Sequence, residues 1–402
     1  FNYTDRVRAL IGRTSMSEVE ELEYHFPHMP FGCSITLEPK AREYILDNIR
    51  RATRQFNLRG LQQLLHRFPK DYDMPFTLSN FLSIHRVPIR TFYKRMTWSE
   101  GVTRVVEEGA AEAPVGFQLS SDLSEAEAKL MERFKKTVAT AWSVTDSTSY
   151  FDFLFRLASA DFILERLRRK PEEVSEEMVK RLCVMFYYDL YAGDAERPKY
   201  DSYRSFLQVL SSYRVFIQEC LMVLGVLLQK TESYEIGSAE KPNAAFPLMV
   251  HGRYTREQIK AAVGTSTMAR KSPGREGIEV NKQEKVEVLF VDLIKDRVAG
   301  STTNYNDMAV TDTLFDWETQ NKVSPDTPTG QRYIKGTFKT VLFVREQAKT
   351  AEDKSLTQSY VYLGLVSLVS YQGSKPMTIR WKLATPMPSS FWSFASDLGD
   401  VG

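Results

Sequence analysis

The sequence predicts an α+β multidomain chain. An all-helical N-terminal region, either a bundle or a winged-helix-like arrangement, is followed by a mostly antiparallel, β-barrel-like C-terminal domain. Three observations carry this expectation. At 402 residues the chain exceeds one ordinary hydrophobic core, so two or three domains are expected. From about residue 75 to 235 apolar residues recur at helical spacing, whereas beyond 247 short Val-, Ile- and Phe-rich runs alternate with turn residues. Between them lies a polar segment with glycine and proline, TESYEIGSAEKPNAA at 232–246. The boundaries expected are therefore 1–70 for an entry segment, 71–235 for a helical domain and 247–402 for a β-rich domain.

The entry segment opens at Phe1 without a methionine and is expected to be the tail of something longer. From Pro39 onward Ala41, Tyr44, Ile45 and Ile49 fall on one helical stripe, opposite Arg50, Arg51 and Arg54. Those arginines are either a solvated helix face or a face that tracks a phosphate backbone. In the helical domain, Phe76 to Leu82 reads as a short capped helix and Val87-Pro88-Ile89-Arg90 as the turn into the next, a spacing like that of helix-turn-helix units. Long amphipathic helices are expected over Glu125–Trp142 and Phe151–Arg169, another over Met178–Leu190, and one very apolar helix over Tyr203–Leu228. The aromatic residues of that last helix read as a core stripe. In the β-rich domain, Tyr254 to Gly264 reads as one short helix, with Thr255 as N-cap, Gln258 completing a capping box and Gly264 as C-cap. Strands are expected over 277–280, 286–293, 340–345, 360–370 and 377–383.

Composition narrows the function. Hydrophobic residues make up 43% and charged residues 26%, as in soluble globular proteins, and no run of about 20 apolar residues spans a bilayer. The net charge of +2 gives no overall basic field, so a nucleic-acid partner must be held by local patches. Cys33, Cys183 and Cys220 are far apart and form no CxxC pair, which disfavours disulfides and zinc and favours a reducing cytoplasm. There is no GxxxxGK[ST] phosphate loop, HEXXH, GxSxG or His-x-Lys motif, so the segment is not expected to hydrolyse ATP alone or to carry a resident metal. Asp292 and Lys295 are candidates for part of a carboxylate nuclease site, with loose spacing.

The densest candidate surface is Tyr305 to Tyr333, YNDMAVTDTLFDWETQNKVSPDTPTGQRY. Phe315 and Trp317 share one face of a strand, Gln320 and Asn321 stand at its end, and Pro325 to Gly330 breaks regular structure. Aromatics beside side-chain amides can stack a base and read its edge, and Arg253, Arg275 and Arg332 would neutralise phosphates. Tyr305, Trp317, Gln320, Asn321, Arg332 and Tyr333 with Arg253 and Arg275 are thus the candidate nucleic-acid-binding residues. The alternative reading makes Phe315 and Trp317 core, Gln320 and Asn321 turn-forming, and the arginines solvated.

From about Leu248 to Pro388, the runs HGRYTREQI, GREGI, LFVDLIK, TTNYNDMAVTDTLFDWETQN, SPDTPTGQRYI, LFVRE, YLG and GSKPMTIRWKLATPMP resemble the domain-of-unknown-function family 3427. That family typically forms the C-terminal part of bacterial superfamily-2 DEAD/DEAH-type helicases, many with a phospholipase-D-like nuclease domain, and a link to restriction or phage defence is suspected. FNYTDRVRALIG and HFPHMPFGCSITLEPKAREYILDNIR resemble the chain just beyond the second motor lobe of those helicases. The resemblance implies a DNA-binding accessory half of an ATP-driven motor. ATP and magnesium would be bound by the motor domains, and DNA, those domains and a nuclease domain or subunit would be the partners. It supplies no catalytic residue. Phe315-Asp316-Trp317 departs from the pattern in which a histidine often precedes the tryptophan, which argues against a catalytic Asp316. Two other functions stay open: a protein-interaction scaffold coupling a motor to a nuclease, and a metal-dependent nuclease.

Overall fold

A computed structural model describes residues 56–121, 123–167, 175–194, 197–231, 235–274, 277–293, 307–350 and 355–388. They divide into two compact units, the first within 56–167 and 186–231, the second within 175–185 and 235–388. The layout is the expected one, helices first and a mostly antiparallel sheet after them.

The helical unit contains α1 (Leu58–Asp71), α2 (Leu78–His85), α3 (Ile89–Tyr93), α4 (Trp98–Glu107), α5 (Glu125–Ala139), α6 (Ala141–Val144) and α7 (Thr148–Ser159). It is completed by the latter part of α8 (Glu176–Tyr191), by α9 (Tyr203–Leu210) and by α10 (Arg214–Lys230). Local chemistry sets many of the starts: Thr77, Thr97, Ser124, Ser147 and Ser202 each accept a backbone N–H at a helix N-cap. The unit is a bundle. Among the described residues it has no strand to serve as a wing, and α3, barely more than a turn, packs on α5 with Arg90 Nε donating to Ala139 O at 3.0 Å.

The helix expected over Tyr203–Leu228 is two helices bent by 100°. Ser211 and Ser212 turn their hydroxyls back onto the carbonyls of Gln208 and Val209 at 2.7 Å, a local alternative to helix continuation. Among the described residues no single helix is long and apolar enough to cross a membrane. Helix α10 packs against α2, α4, α5 and α7, and its polar residue Glu219 is completely buried. That carboxylate accepts Trp98 N–H at 2.7 Å and Ser99 N–H at 2.9 Å, the first orphan donors of α4, together with the Tyr93 and Ser99 hydroxyls at 2.5 Å. Glu127 of α5 does the same for α10, accepting Val215 and Phe216 N–H at 3.0 and 3.2 Å.

Among the described residues the second unit contains one sheet of eight strands. Its strands are β1 (Arg253–Tyr254), β2 (Ile278–Asn281), β3 (Val286–Asp292), β4 (Met308–Thr311), β5 (Leu314–Glu318), β6 (Lys339–Arg345), β7 (Tyr360–Gln372) and β8 (Thr378–Leu383). The order is β2-β3-β6-β7-β8-β5-β4, with β1 on β7. The ends, β2 and β4, do not pair, so the sheet is open and not the closed barrel that the strand spacing suggested. One pair, β3 with β6, is parallel, which requires a crossover, and β4, β5 and helix α12 (Pro328–Lys335) lie in that connection. Curvature comes from β7, whose first half pairs with β6 and second half with β8. Gly364 adopts φ 93° within it, and bulges interrupt both ladders. Helix α11 (Arg256–Val263) has the expected Thr255–Gln258 capping box and a left-handed Gly264. One face of the sheet buries Leu289, Phe315, Trp317, Leu342, Ile379 and Trp381 in a common core.

Burial pushes the Glu219 carboxyl above its ordinary value of 4.5, against the pull of its hydrogen bonds from Ser99, Tyr93 and Trp98. Its contribution to stability is therefore complete below 4.5 and declines as pH rises through the raised value. Glu219→Gln is expected to remove that decline. Glu219→Ala, which strips two helix N–H groups of their acceptor, is expected to lose on the order of 3 kcal/mol. Urea denaturation across pH measures both, and a loss as small as that of a surface substitution contradicts the capping role.

Candidate nucleic-acid interface

The segment between β5 and β6 builds the candidate site. Trp317 and Phe315 leave β5 on the core face, Thr319 ends the strand, and a turn follows in which Val323 N–H donates to Gln320 O at 2.9 Å. Then Thr327 caps α12. Its hydroxyl accepts Gly330 N–H at 3.1 Å and donates to Ser324 O at 2.7 Å, with Pro328 in the first helical position. Pro325 to Gly330 thus breaks one element only to start another. A Cβ on Gly330 would stand 2.0 Å from Ser324 O, so only glycine lets the helix approach the turn.

Helix α12 is fastened to β3 by an ionic cluster. Glu287, wholly buried, accepts Arg332 Nε at 2.7 Å and Nη2 at 2.5 Å, and the Tyr333 hydroxyl at 2.9 Å. The bonds from Glu287 raise the Arg332 guanidinium further above its ordinary value, so it stays charged. Burial and the Glu287 charge push the Tyr333 hydroxyl upward, so it stays protonated and donates. The Tyr333 ring meets Trp317 edge-on at 5.5 Å and Trp381 at 6.0 Å.

Beside this cluster lies an open cleft of about 420 Å³, lined by Ile278, Val280, Gln320, Lys322, Val323, Thr327, Thr329 and Arg332. The β7–β8 hairpin closes on the same turn: Lys375 N–H donates to Val323 O at 3.0 Å, and Thr319 exchanges bonds of 2.9 Å with Met377. Tyr371, Gln372, Ser374 and Lys375 are exposed there. Residues 355–388 contain no aspartate or glutamate, while Lys375, Arg380 and Lys382 are basic. Arg380 is held by Asp316 through two bonds of 2.7 Å, which also gives Asp316 a structural role.

The candidates read from sequence therefore separate. Gln320 and Arg332 line the cleft, and Asn321 is exposed at the adjoining turn. Two assignments are corrected: Trp317 and Tyr333, at 5% and 2% exposure, are core residues whose rings meet each other and offer no face to a base. Arg332 is corrected in part, because two of its donors are committed to Glu287. Arg253 is half-buried on β1 and is not among the residues that line the cleft. Arg275, Tyr305, Arg50, Arg51 and Arg54 lie outside the described residues. Lys322, Lys375 and Tyr371 were missed; only the acid-free stretch around the hairpin could have pointed to the last two.

Asp292 is bound by Arg345 at 2.7 and 2.9 Å, Lys295 lies outside the described residues, and among those no group of three or more His, Cys, Asp or Glu is placed to hold a metal. Helices α9 and α10 bury most of their apolar residues, with Val209 of α9 exposed.

The second unit is thus an α+β module with an open, mostly antiparallel sheet and a mixed, partly cationic cleft at one end. Residues 248–395 match the family described as "Domain of unknown function (DUF3427)", and a DUF3427 domain is present there. Among curated proteins, none matches the chain.

Two outcomes follow for the cluster. Arg332→Ala leaves Glu287 buried beside a single hydroxyl, and a loss of about 3 kcal/mol is expected in thermal or urea denaturation, with Arg332→Ala/Glu287→Leu recovering much of it. Gly330→Ala is expected to cost about 1–3 kcal/mol through the forced retreat of α12. A Gly330→Ala protein as stable as the wild type contradicts the close approach.

Proposed function

We propose that the DUF3427 unit binds nucleic acid and inspects it at the Gln320–Arg332 cleft, and that the chain is the accessory half of an ATP-driven DNA helicase or translocase. One observation carries this reading: the cleft gathers a side-chain amide, two threonines and two cations, and the acid-free β7–β8 hairpin adds Lys375 beside them. A carboxamide can make paired bonds to a base edge, and lysines attract phosphates without sequence preference. The motor association rests on the resemblance of about Leu248–Pro388, and of the N-terminal runs FNYTDRVRALIG and HFPHMPFGCSITLEPKAREYILDNIR, to the post-motor half of superfamily-2 helicases. On that reading ATP and magnesium belong to the motor domains, the setting is restriction or phage defence in the cytoplasm, and a nuclease domain or subunit is a further partner.

The test is equilibrium binding of the full chain to single- and double-stranded DNA, plain and base-modified, across a salt series. Lys322→Ala/Lys375→Ala is expected to weaken binding about tenfold on every substrate and to lower the salt slope by about 1.5. Gln320→Ala is expected to change the ranking of substrates with little effect on the slope. Wild-type protein that shows no salt-dependent binding removes the proposal, and equal effects of both variants on all substrates remove the division of roles.

A further inference from the structure

We propose that a second cleft, in the helical unit, holds a phosphodiester group of a nucleic-acid strand; this rests on the DNA-binding reading above and adds a separate contact to it. The cleft, of about 220 Å³, lies among α1, α4 and α5, with Leu65, Met96 and Val105 among its apolar residues and Arg95, Arg104 and Lys135 as its cations. Arg95 and Arg104 are exposed, and neither side chain makes a hydrogen bond or ion pair among the described residues. Two glutamates share the cleft and leave the arginines unpaired. Glu100 is engaged by Thr97 N–H at 2.7 Å in the α4 capping box, and Glu108 is exposed beyond the helix end. Lys135 pairs with Glu132 at 2.6 Å, so the cations with unengaged donors are the two arginines, set against the charges of Glu100 and Glu108.

A guanidinium presents planar, paired donors that match a phosphate, and it stays charged at any physiological pH. Two of them at one concave surface offer several unengaged N–H donors that can converge on a single phosphodiester. The walls extend the argument from phosphate to phosphodiester, since apolar side chains beside the cations favour a sugar over the hydration shell of a free ion. The cleft itself persists because α1 and α4 approach closely at Gly101, where a Cβ would come within 2.8 Å of Leu65 Cδ1.

Fluorescence anisotropy of the full chain with a labelled 20-nucleotide strand tests this. Arg95→Gln/Arg104→Gln is expected to weaken binding about tenfold and to lower the slope of log K against log salt by about 1.5, with the melting temperature unchanged. Lys129→Gln/Arg204→Gln, which removes the same charge from exposed ion pairs elsewhere in the unit, is expected to leave both nearly unaltered. Equal losses from the two pairs, or no loss from the arginines, overturn the proposal. If Lys322→Ala/Lys375→Ala weakens binding and the arginine pair does not, this inference falls while the proposed function stands; if wild type does not bind, both fall. Competition by inorganic phosphate or a nucleoside monophosphate at concentrations near that of the strand overturns the assignment to a polymer backbone.

Discussion

A carboxylate with no exposure to water dictates the architecture around the candidate site. Glu287 sits on β3 inside the sheet, and an unpaired charge there would be prohibitive. Arg332 and Tyr333 meet that requirement from consecutive positions of α12, so the helix must lie where both reach one side chain. That placement in turn sets the turn from Thr319 to Thr327, puts Gly330 against Ser324 O, and leaves the space beside Gln320 and Lys322 as a cleft. Tyr333 carries the constraint into the core through its edge contact with Trp317. The surface is a consequence of an interior need.

The helical unit obeys the same rule with different chemistry. Glu219 and Glu127 are buried acids, and both are answered by backbone N–H groups at helix starts, where the dipole also favours negative charge. Asp189 of α8 takes the remaining polar demand of the aromatic core, accepting Trp142 Nε1 and the Tyr150 hydroxyl, each at 2.8 Å. Each acid links two elements distant in sequence, which specifies how the helices meet more narrowly than apolar packing does.

What was legible beforehand was local. The strands β3, β6, β7 and β8 announced themselves as apolar runs between turns, and α11 as Thr255, Gln258 and Gly264 at capping positions, because period and capping are properties of a few adjacent residues. The Tyr203–Leu228 break was not legible, since the apolar stripe runs through Ser211 and Ser212 without interruption. Pro325 and Pro328 read as breakers, yet Pro328 begins a helix, a distinction that depends on Thr327 accepting the Gly330 N–H. The parallel β3–β6 pairing and the open edge between β2 and β4 depend on contacts across the sheet and leave no local trace. At the site, alternation placed Phe315 and Trp317 on one face correctly but could not say that the face was the inner one.

The distinction between Arg332 and the lysines decides how the cleft can act. An arginine bound through two donors to a buried carboxylate is immobile, and the pair as a whole carries little net charge outward. Held there with its guanidinium over the Tyr333 and Phe338 rings, it lines the cleft in a fixed orientation and would not supply long-range attraction. Lys322 and Lys375 are exposed and form no ion pair among the described residues, so in the proposed function the attraction would fall to them. Gln320 is neutral and half-buried between these two kinds of cation. Attraction from mobile charges and orientation from fixed donors are separate tasks, and in the proposed function different residues at this end of the sheet would perform them.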